Sequence, residues 1–298
     1  MAERQLADYL AVIGPISGGS QPELRRGQFH DVVLAGDVAY RFPRDEQSRR
    51  ALPGRTALLR VLGHGRLPVA TPGPLGPAPA GQPEALGRCH VALSRLRGQP
   101  LPRAQAISPR SAPIVLGELG RLLDALGELG ADPAVRQAVP GADPDHWVRF
   151  AGEVTRVLFP LMSDRGRRRA EAELARVGAV DPAGTALVHG DLGGSNLLWD
   201  ITEAGPRLAG VLDWDEAHIG GQAEDLASVA VTFGWGLAGR LDAWRHAGRR
   251  PTVADARVIA ATFALQQALP AALSGDRAML ADGLAGYAGG RPAKAPVT

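Results

Sequence analysis

The chain has 298 residues, 45% of them hydrophobic and 21% charged, with a formal net charge of +2. That length allows one large domain or two lobes with ample core, and the ordinary apolar content argues against a disordered chain. The single cysteine, Cys89, excludes an intramolecular disulfide and a multi-cysteine zinc site, and is expected as a small buried hydrophobe in a reducing compartment.

The basic residues are arginines apart from Lys294. Interspersed with acids in a chain poor in aromatics, they read as solvated surface and not as a nucleic-acid contact. The opening "MAERQLADYLAVIGPISGG" has early acids and no long apolar core, which makes a poor signal peptide. The uncharged run Leu226 to Gly239 is too short and too glycine-rich to span a bilayer. A cytoplasmic protein with no membrane partner is the expectation.

In chain order, "GQFHDVVLAGDVAYRFPR" alternates on either side of Ala35-Gly36-Asp37 and predicts a β-hairpin. "RTALLRVLGHG" predicts a short helix stopped by glycine. "LPVATPGPLGPAPAGQPEALG" predicts a long exposed loop, and "RCHVALSRL" another strand. From Pro113 onward the period becomes helical in "IVLGELGRLLDALGEL", "DPDHWVRFAGEVTRVLFPLM" and "RRRAEAELARVG". Short strands interrupt around residues 187–212, and helices return at "AEDLASVAVTF", "VADARVIAATFALQQAL" and "DRAMLADGLAGYAG". The last residues, "GGRPAKAPVT", read as a frayed tail. The expected class is α+β: a β-rich unit over residues 1–95, then a mainly helical unit over residues 96–298 with an inserted hairpin.

Two segments carry chemistry: "HGDLGGSN" (His189 to Asn196) and "VLDWDEAHIGGQAEDLA" (Val211 to Ala227). Each places an acid where an apolar strand meets a loop. Asp191 and Asn196 lie five apart across Gly193-Gly194, which let the backbone double back so that both side chains face one cavity. Asp213, at the end of the neighbouring strand, reaches the same cavity. A metal-free acid beside an amide and a carboxylate that bind hard cations is what phosphoryl transfer to a hydroxyl requires, with Mg²⁺ held by oxygen ligands. In this reading Asp191 orients the acceptor hydroxyl and finally takes its proton, while Asn196 and Asp213 hold the metal. The bland alternative is a pair of glycine turns capped by acids. No Walker loop or dinucleotide fingerprint competes.

His189-Gly190-Asp191…Asn196 followed by Leu212-Asp213-Trp214 resembles the signature of the aminoglycoside phosphotransferase family, relatives of the protein kinases. Stretches outside it, among them "GQFHDVVLAGD", "FPLMSDRGRRRAEAELA" and "TFALQQAL", resemble its tuberactinomycin (viomycin and capreomycin) phosphotransferase branch. The resemblance implies a two-lobed kinase-like fold, ATP or GTP as co-substrate, Mg²⁺, and transfer to a serine hydroxyl of a cationic cyclic-peptide antibiotic. Resistance would follow, the protein being a monomer or weak dimer. An aminoglycoside, macrolide or other small-molecule kinase of the same fold is the alternative, and a non-catalytic pseudokinase a second.

Carried onto this chain, the resemblance makes Asp191 the base and Asn196 and Asp213 the metal ligands. It makes His189 and Asp225 braces of the catalytic loop, and "ALSRL", with Ser94, Arg95 and Leu96, the hinge whose backbone meets the base. The strand lysine that grips phosphates is replaced by Arg41, and the helix glutamate that pairs with it by Arg55. Two cations cannot form that pair; Arg44 is the other available anchor and Glu46 the nearest acid. The turn usually read G-D-P-x-x-D-L here runs Gly220 to Leu226 without its first Asp and Pro. A cationic peptide calls for acids, so Asp215 and Glu216 are the candidate substrate ligands, with Gln266 as a candidate for peptide amides. Trp214 reads as packing.

Overall fold

The computed structural model describes residues 2–14, 21–27, 29–63, 65–76, 90–245 and 252–288. Cys89, the later part of the proline-rich stretch, Lys294 and the expected tail lie outside them.

Helix α1 (Ala2–Ile13) precedes an antiparallel sheet ordered β1 (Glu23–Arg26), β2 (His30–Ala35), β3 (Val38–Pro43) and β4 (Val91–Ser94). The β2–β3 hairpin closes on the two residues Gly36 and Asp37, with Ala35 paired to Val38 and Gly36 at φ +58°. That left-handed conformation is what a two-residue hairpin turn demands. Tyr9 of α1 stacks on Phe42 with centroids 4.3 Å apart and donates to Asp31 at 2.7 Å, so α1, which the sequence reading omitted, is anchored by one ring and one hydroxyl.

Helix α2 (Glu46–Leu62) crosses between β3 and β4 and is longer than expected. Asp45 caps it by accepting from the Ser48 amide at 2.7 Å, and the helix continues through Pro53, burying Leu52, Leu58, Leu59 and Leu62. The apolar face outweighs the proline, since each buried leucine is worth about 1.5–3 kcal/mol against about 3 for the break. The following stretch is no simple exposed loop. Ala70 bonds to both Ala209 and Val211, and Gly73 and Leu75 bond to Ser94 and Ala92, so residues 70–75 strap the sheet to the helical body.

That body holds α3 (Arg103–Ala106), α4 (Ala112–Leu129), α5 (Pro133–Ala138), α6 (His146–Val157) and α7 (Asp164–Val177). Two small antiparallel pairs follow, β5 (Ala186–Val188) with β8 (His218–Gly220), and β6 (Leu197–Thr202) with β7 (Gly205–Val211). Helices α8 (Ala223–Phe233), α9 (Trp235–Arg245), α10 (Val253–Ala261), α11 (Phe263–Ser274) and α12 (Arg277–Gly283) complete it. Leu119, Leu122 and Leu126 of α4 are fully buried in a core that also holds Trp199 and Val229, and the same cluster runs from Leu58 of α2 to Leu265 of α11.

The single helix expected over "VADARVIAATFALQQAL" is two, meeting at buried Thr262, whose hydroxyl donates to the Ile259 carbonyl at 2.8 Å. By length and apolarity alone residues 253–274 could cross a membrane, with a mean hydropathy of 1.2. In the fold they pack on α6, α7, α8 and α12 as core helices.

Candidate active site

The loop between β5 and β6 is built around a buried acid. Asp225, fully buried in the first turn of α8, accepts from the His189 amide and from the Gly190 amide, each at 3.0 Å. Burial pushes the Asp225 carboxyl up to about 7 against those two donors. The His189 ring continues the bracing. Its Nδ1 accepts from the Asp191 amide at 3.2 Å, so Nε2 carries the proton and donates to the Leu212 carbonyl at 2.8 Å. A neutral ring is what this pattern needs, and burial holds its pKa down to about 4. Gly190 sits at φ +84°, where a Cβ would meet the Glu216 carbonyl oxygen at 2.7 Å.

Past that point the chain turns so that Asn196 donates through Nδ2 to both the Asp191 carbonyl (2.8 Å) and its Oδ2 (2.9 Å). Asp191 is thereby held by a single amide. Burial raises its pKa, the Asn196 bond opposes, and the Asp213 charge adds to the rise. The doubling back does not need left-handed Gly193 or Gly194, as expected from the sequence, because Gly190 supplies that conformation. Gly194 is required for a different reason: its amide donates to Thr232 Oγ1 at 2.9 Å, and a Cβ there would meet Thr232 Cγ2 at 2.5 Å.

Asp213 follows β7 and lies beside Asn196, since the Leu212 amide donates to the Asn196 carbonyl at 2.8 Å. It is the only described non-glycine residue with positive φ, at +57°. Such a conformation costs on the order of 1–3 kcal/mol and turns the carboxylate out of the sheet. The side chain is 48% exposed, and one oxygen accepts from Arg41 Nη2 at 3.2 Å. Burial raises its pKa, with Arg41 pulling the other way. The Asn196 Oδ1 has no partner among the described residues. An amide oxygen and a half-open carboxylate fit Mg²⁺, which keeps several positions for water and phosphate. Among the described residues no group of three or more His, Cys, Asp or Glu side chains offers a different metal site.

Arg41 reaches Asp215 from β3, whereas Arg44 donates to the Gly27 carbonyl at 2.7 Å. Glu46 pairs with Arg49 and Arg50 of its own helix and so is not the partner of Arg41. That partner is Asp215. Its two oxygens accept from Arg41 Nη1 and Nη2 at 3.1 and 2.8 Å, and Arg55 Nη1 lies 3.1 Å away. Burial would raise the Asp215 pKa, but Arg41 and Arg55 outweigh it and hold the carboxyl down. Asp215, expected as a substrate acid, borders the cavity and has its charge matched by two guanidiniums. Glu216 remains as the cleft acid, its pKa raised by burial and neighbouring carboxylates against Arg55.

At the hinge the Ser94 amide is taken by the Gly73 carbonyl and the Arg95 amide by the Asp37 carbonyl, both at 2.8 Å. Of the three expected hinge residues, only Leu96 keeps an amide without a partner among the described residues. Beyond Asp191 opens a cavity of about 920 Å³, lined by Glu216, His218, Asp143, His146, Trp147 and Gln266 among others. Gln266 borders it while donating to Thr262 Oγ1 at 2.8 Å; Gln267 also borders it and donates to Asp282 at 2.8 Å. Trp214 is buried against His189 and donates to the Val211 carbonyl, which is packing. Asp143, His146 and His218 were missed from the sequence, and nothing in their local pattern marks them.

A small antiparallel sheet set over a helical body, with an acid-bearing loop facing the crevice between them, defines a two-lobed kinase-like enzyme. Comparison with known proteins places the chain within that class. It belongs to the phosphotransferase enzyme family, whose profile matches residues 22–276. A viomycin phosphotransferase of Streptomyces vinaceus is 42% identical over 268 residues, covering 89% of this chain and 91% of that protein. Among solved structures, the GDP and kanamycin complex of APH(2″)-IIIa superposes with a TM-score of 0.79 at 20% identity, over 95% of this chain and 96% of that one. A macrolide 2′-phosphotransferase type I superposes at 0.70 with 24% identity, over 97% of each chain. These two likenesses establish the fold.

Proposed function

We propose that this protein transfers the γ-phosphate of ATP or GTP to a serine hydroxyl of a cationic cyclic-peptide antibiotic of the capreomycin and viomycin type, and so confers resistance. The observation that carries the reading is Asp191, held by Asn196 at the mouth of a large cavity bordered by acids. The 42% identity to a viomycin phosphotransferase supports the acceptor class. Asp191 accepts the hydrogen bond of the serine hydroxyl and orients its lone pair; in a loose transition state the proton moves late, so a carboxylate suffices. Asn196 and Asp213 would hold Mg²⁺, which supplies charge neutralisation on the phosphates when bound. Arg41 grips phosphate oxygens, and the carbonyls of the hinge with the Leu96 amide meet the base. Glu216 attracts amines and guanidines of the peptide, and Gln266 offers its remaining amide oxygen to the ring. The lobes meet at residues 95 and 96, and the protein works in the cytoplasm as a monomer or weak dimer.

The test is incubation with Mg²⁺, ATP or GTP, and capreomycin, viomycin or kanamycin, followed by mass spectrometry. A phosphate increment on the cyclic peptides, mapped to a serine, is the expected result. An increment on kanamycin alone would move the chain to the aminoglycoside kinases, and none on any acceptor would make it a pseudokinase.

A further inference from the structure

The kinase-like site holds an arrangement that neither the motif nor the fold requires. Arg41 on β3 and Arg55 on α2 stand side by side with no acid between them from either of their own elements. The charge that separates them comes from the other lobe. Asp215, in the turn after β7, is 8% exposed and lies within 3.1 Å of both guanidiniums, which are themselves only 15% and 23% exposed. Arg41 presents both terminal nitrogens to it in a fork, and His30 Nδ1 lies 3.1 Å from Nη2 and 3.3 Å from Asp215 Oδ2. The Nε–H of Arg41 is without a partner among the described residues, and so is one of the two Nη1 hydrogens.

The geometry points to Asp215 as a positioning residue for the triphosphate: it clamps Arg41 and Arg55 together as a paired phosphate grip. It thereby takes over, from the catalytic side of the cleft, the part that a helix acid would play. A bidentate fork fixes a guanidinium in orientation as well as position, so the directions of its two remaining donors, on opposite edges of the plane, are fixed too. Two adjacent cations repel unless an anion lies between them, so without Asp215 neither would stay in place. Finally, Asp213 and Asp215 flank Trp214, so the grip on phosphate and the metal-binding turn are one rigid piece. The inference rests on the chain being a nucleoside-triphosphate-dependent kinase and is independent of which acceptor it uses.

The test is calorimetric titration of a non-hydrolysable ATP analogue, and of adenosine, into wild-type protein and variants without acceptor. Asp215→Asn should weaken the triphosphate analogue by about tenfold, the worth of a charged hydrogen bond, while adenosine is unaffected. Arg55→Gln, which leaves no acid stranded, should also weaken the analogue, and serves if Asp215→Asn fails to fold. The double variant Asp215→Ala with Arg55→Glu puts the acid back on the helix and should recover several-fold over Asp215→Ala alone. Unchanged analogue affinity in Asp215→Asn and Arg55→Gln, with only the acceptor KM raised, would overturn the proposal and return Asp215 to the substrate. An effect confined to the Mg²⁺ requirement would overturn it in favour of a metal ligand. Wild-type protein that binds no triphosphate would overturn the kinase reading as well.

Discussion

Among the described residues the Asp191 carboxylate touches one side-chain donor, the amide of Asn196, and that contact sets its direction. Burial raises its pKa, Asn196 lowers it and the Asp213 charge adds to the rise, so it is a stronger base than an ordinary aspartate. A residue acting only on the acceptor should affect turnover and leave nucleotide affinity alone. Asp191→Asn is therefore expected to lower kcat by about 10²–10⁴-fold with the nucleotide Kd unchanged; steady-state kinetics beside calorimetry checks it, and a shared loss in both would place Asp191 on the nucleotide. Asp191, Asn196 and Asp213 could be read from the sequence because one loop and one strand end hold all three. The partners of Asp215 were not legible, and the reason is physical. Which charge a carboxylate meets depends on what folds onto it, and Arg41 lies 174 residues away in the chain. Arg55 looked like a defect for the same reason, since an ion pair that skips from helix to distant turn leaves no local pattern.

At the scale of elements, the catalytic loop depends on the helix that follows it. Thr232, in the last turn of α8, bonds back to the Ser228 carbonyl at 2.9 Å and presents its hydroxyl to the Gly194 amide at the same distance. Gly194→Ala should press its methyl into Thr232 Cγ2, displace the loop and lower kcat more than tenfold. Adding Thr232→Ser removes that methyl and keeps the hydroxyl, so most activity should return. Failure of the double variant to recover would mean that backbone freedom at Gly194, and not space, is what the loop needs. Helices with a strong apolar stripe, such as α4 and α6, were legible for the ordinary reason that burial on one face dictates spacing. The break at Thr262 was not, because the apolar pattern runs through it and only packing on several neighbours decides where the axis turns. Helix α9 escaped notice because two glycines, Gly236 and Gly239, dilute its period. Strand β1 was missed because its "ELRR" lacks an apolar face and exists by pairing with β2.

For the molecule as a whole, the lobes frame a cavity with charge on several walls, and salt and pH report on it separately. Glu216, Asp143 and Glu224 border the cavity, so kcat/KM for a cationic peptide should fall steeply between low and physiological ionic strength. An uncharged acceptor analogue should show no such slope, and equal slopes for both would remove the acids from substrate attraction. One pH response comes from His218 on β8. Its Nδ1–H donates to the Glu216 carbonyl at 2.9 Å and its Nε2 lies 3.6 Å from Glu224 at the start of α8. Burial alone would discharge the ring, but the Glu224 carboxylate outweighs it and pushes the pKa up to about 9. A histidine whose folded pKa exceeds its ordinary value of 6.5 stabilises the fold fully below pH 6.5, and the contribution is lost as pH climbs to about 9. This pair joins β8 to α8, whose Asp225 braces the catalytic loop, so its loss loosens the site together with the fold. Melting temperatures of wild type and His218→Gln should therefore differ most near pH 6, by about 2–4 °C for each kcal/mol involved, and converge near pH 9.5. A difference that stays constant across that range would show that His218 contributes packing and not charge.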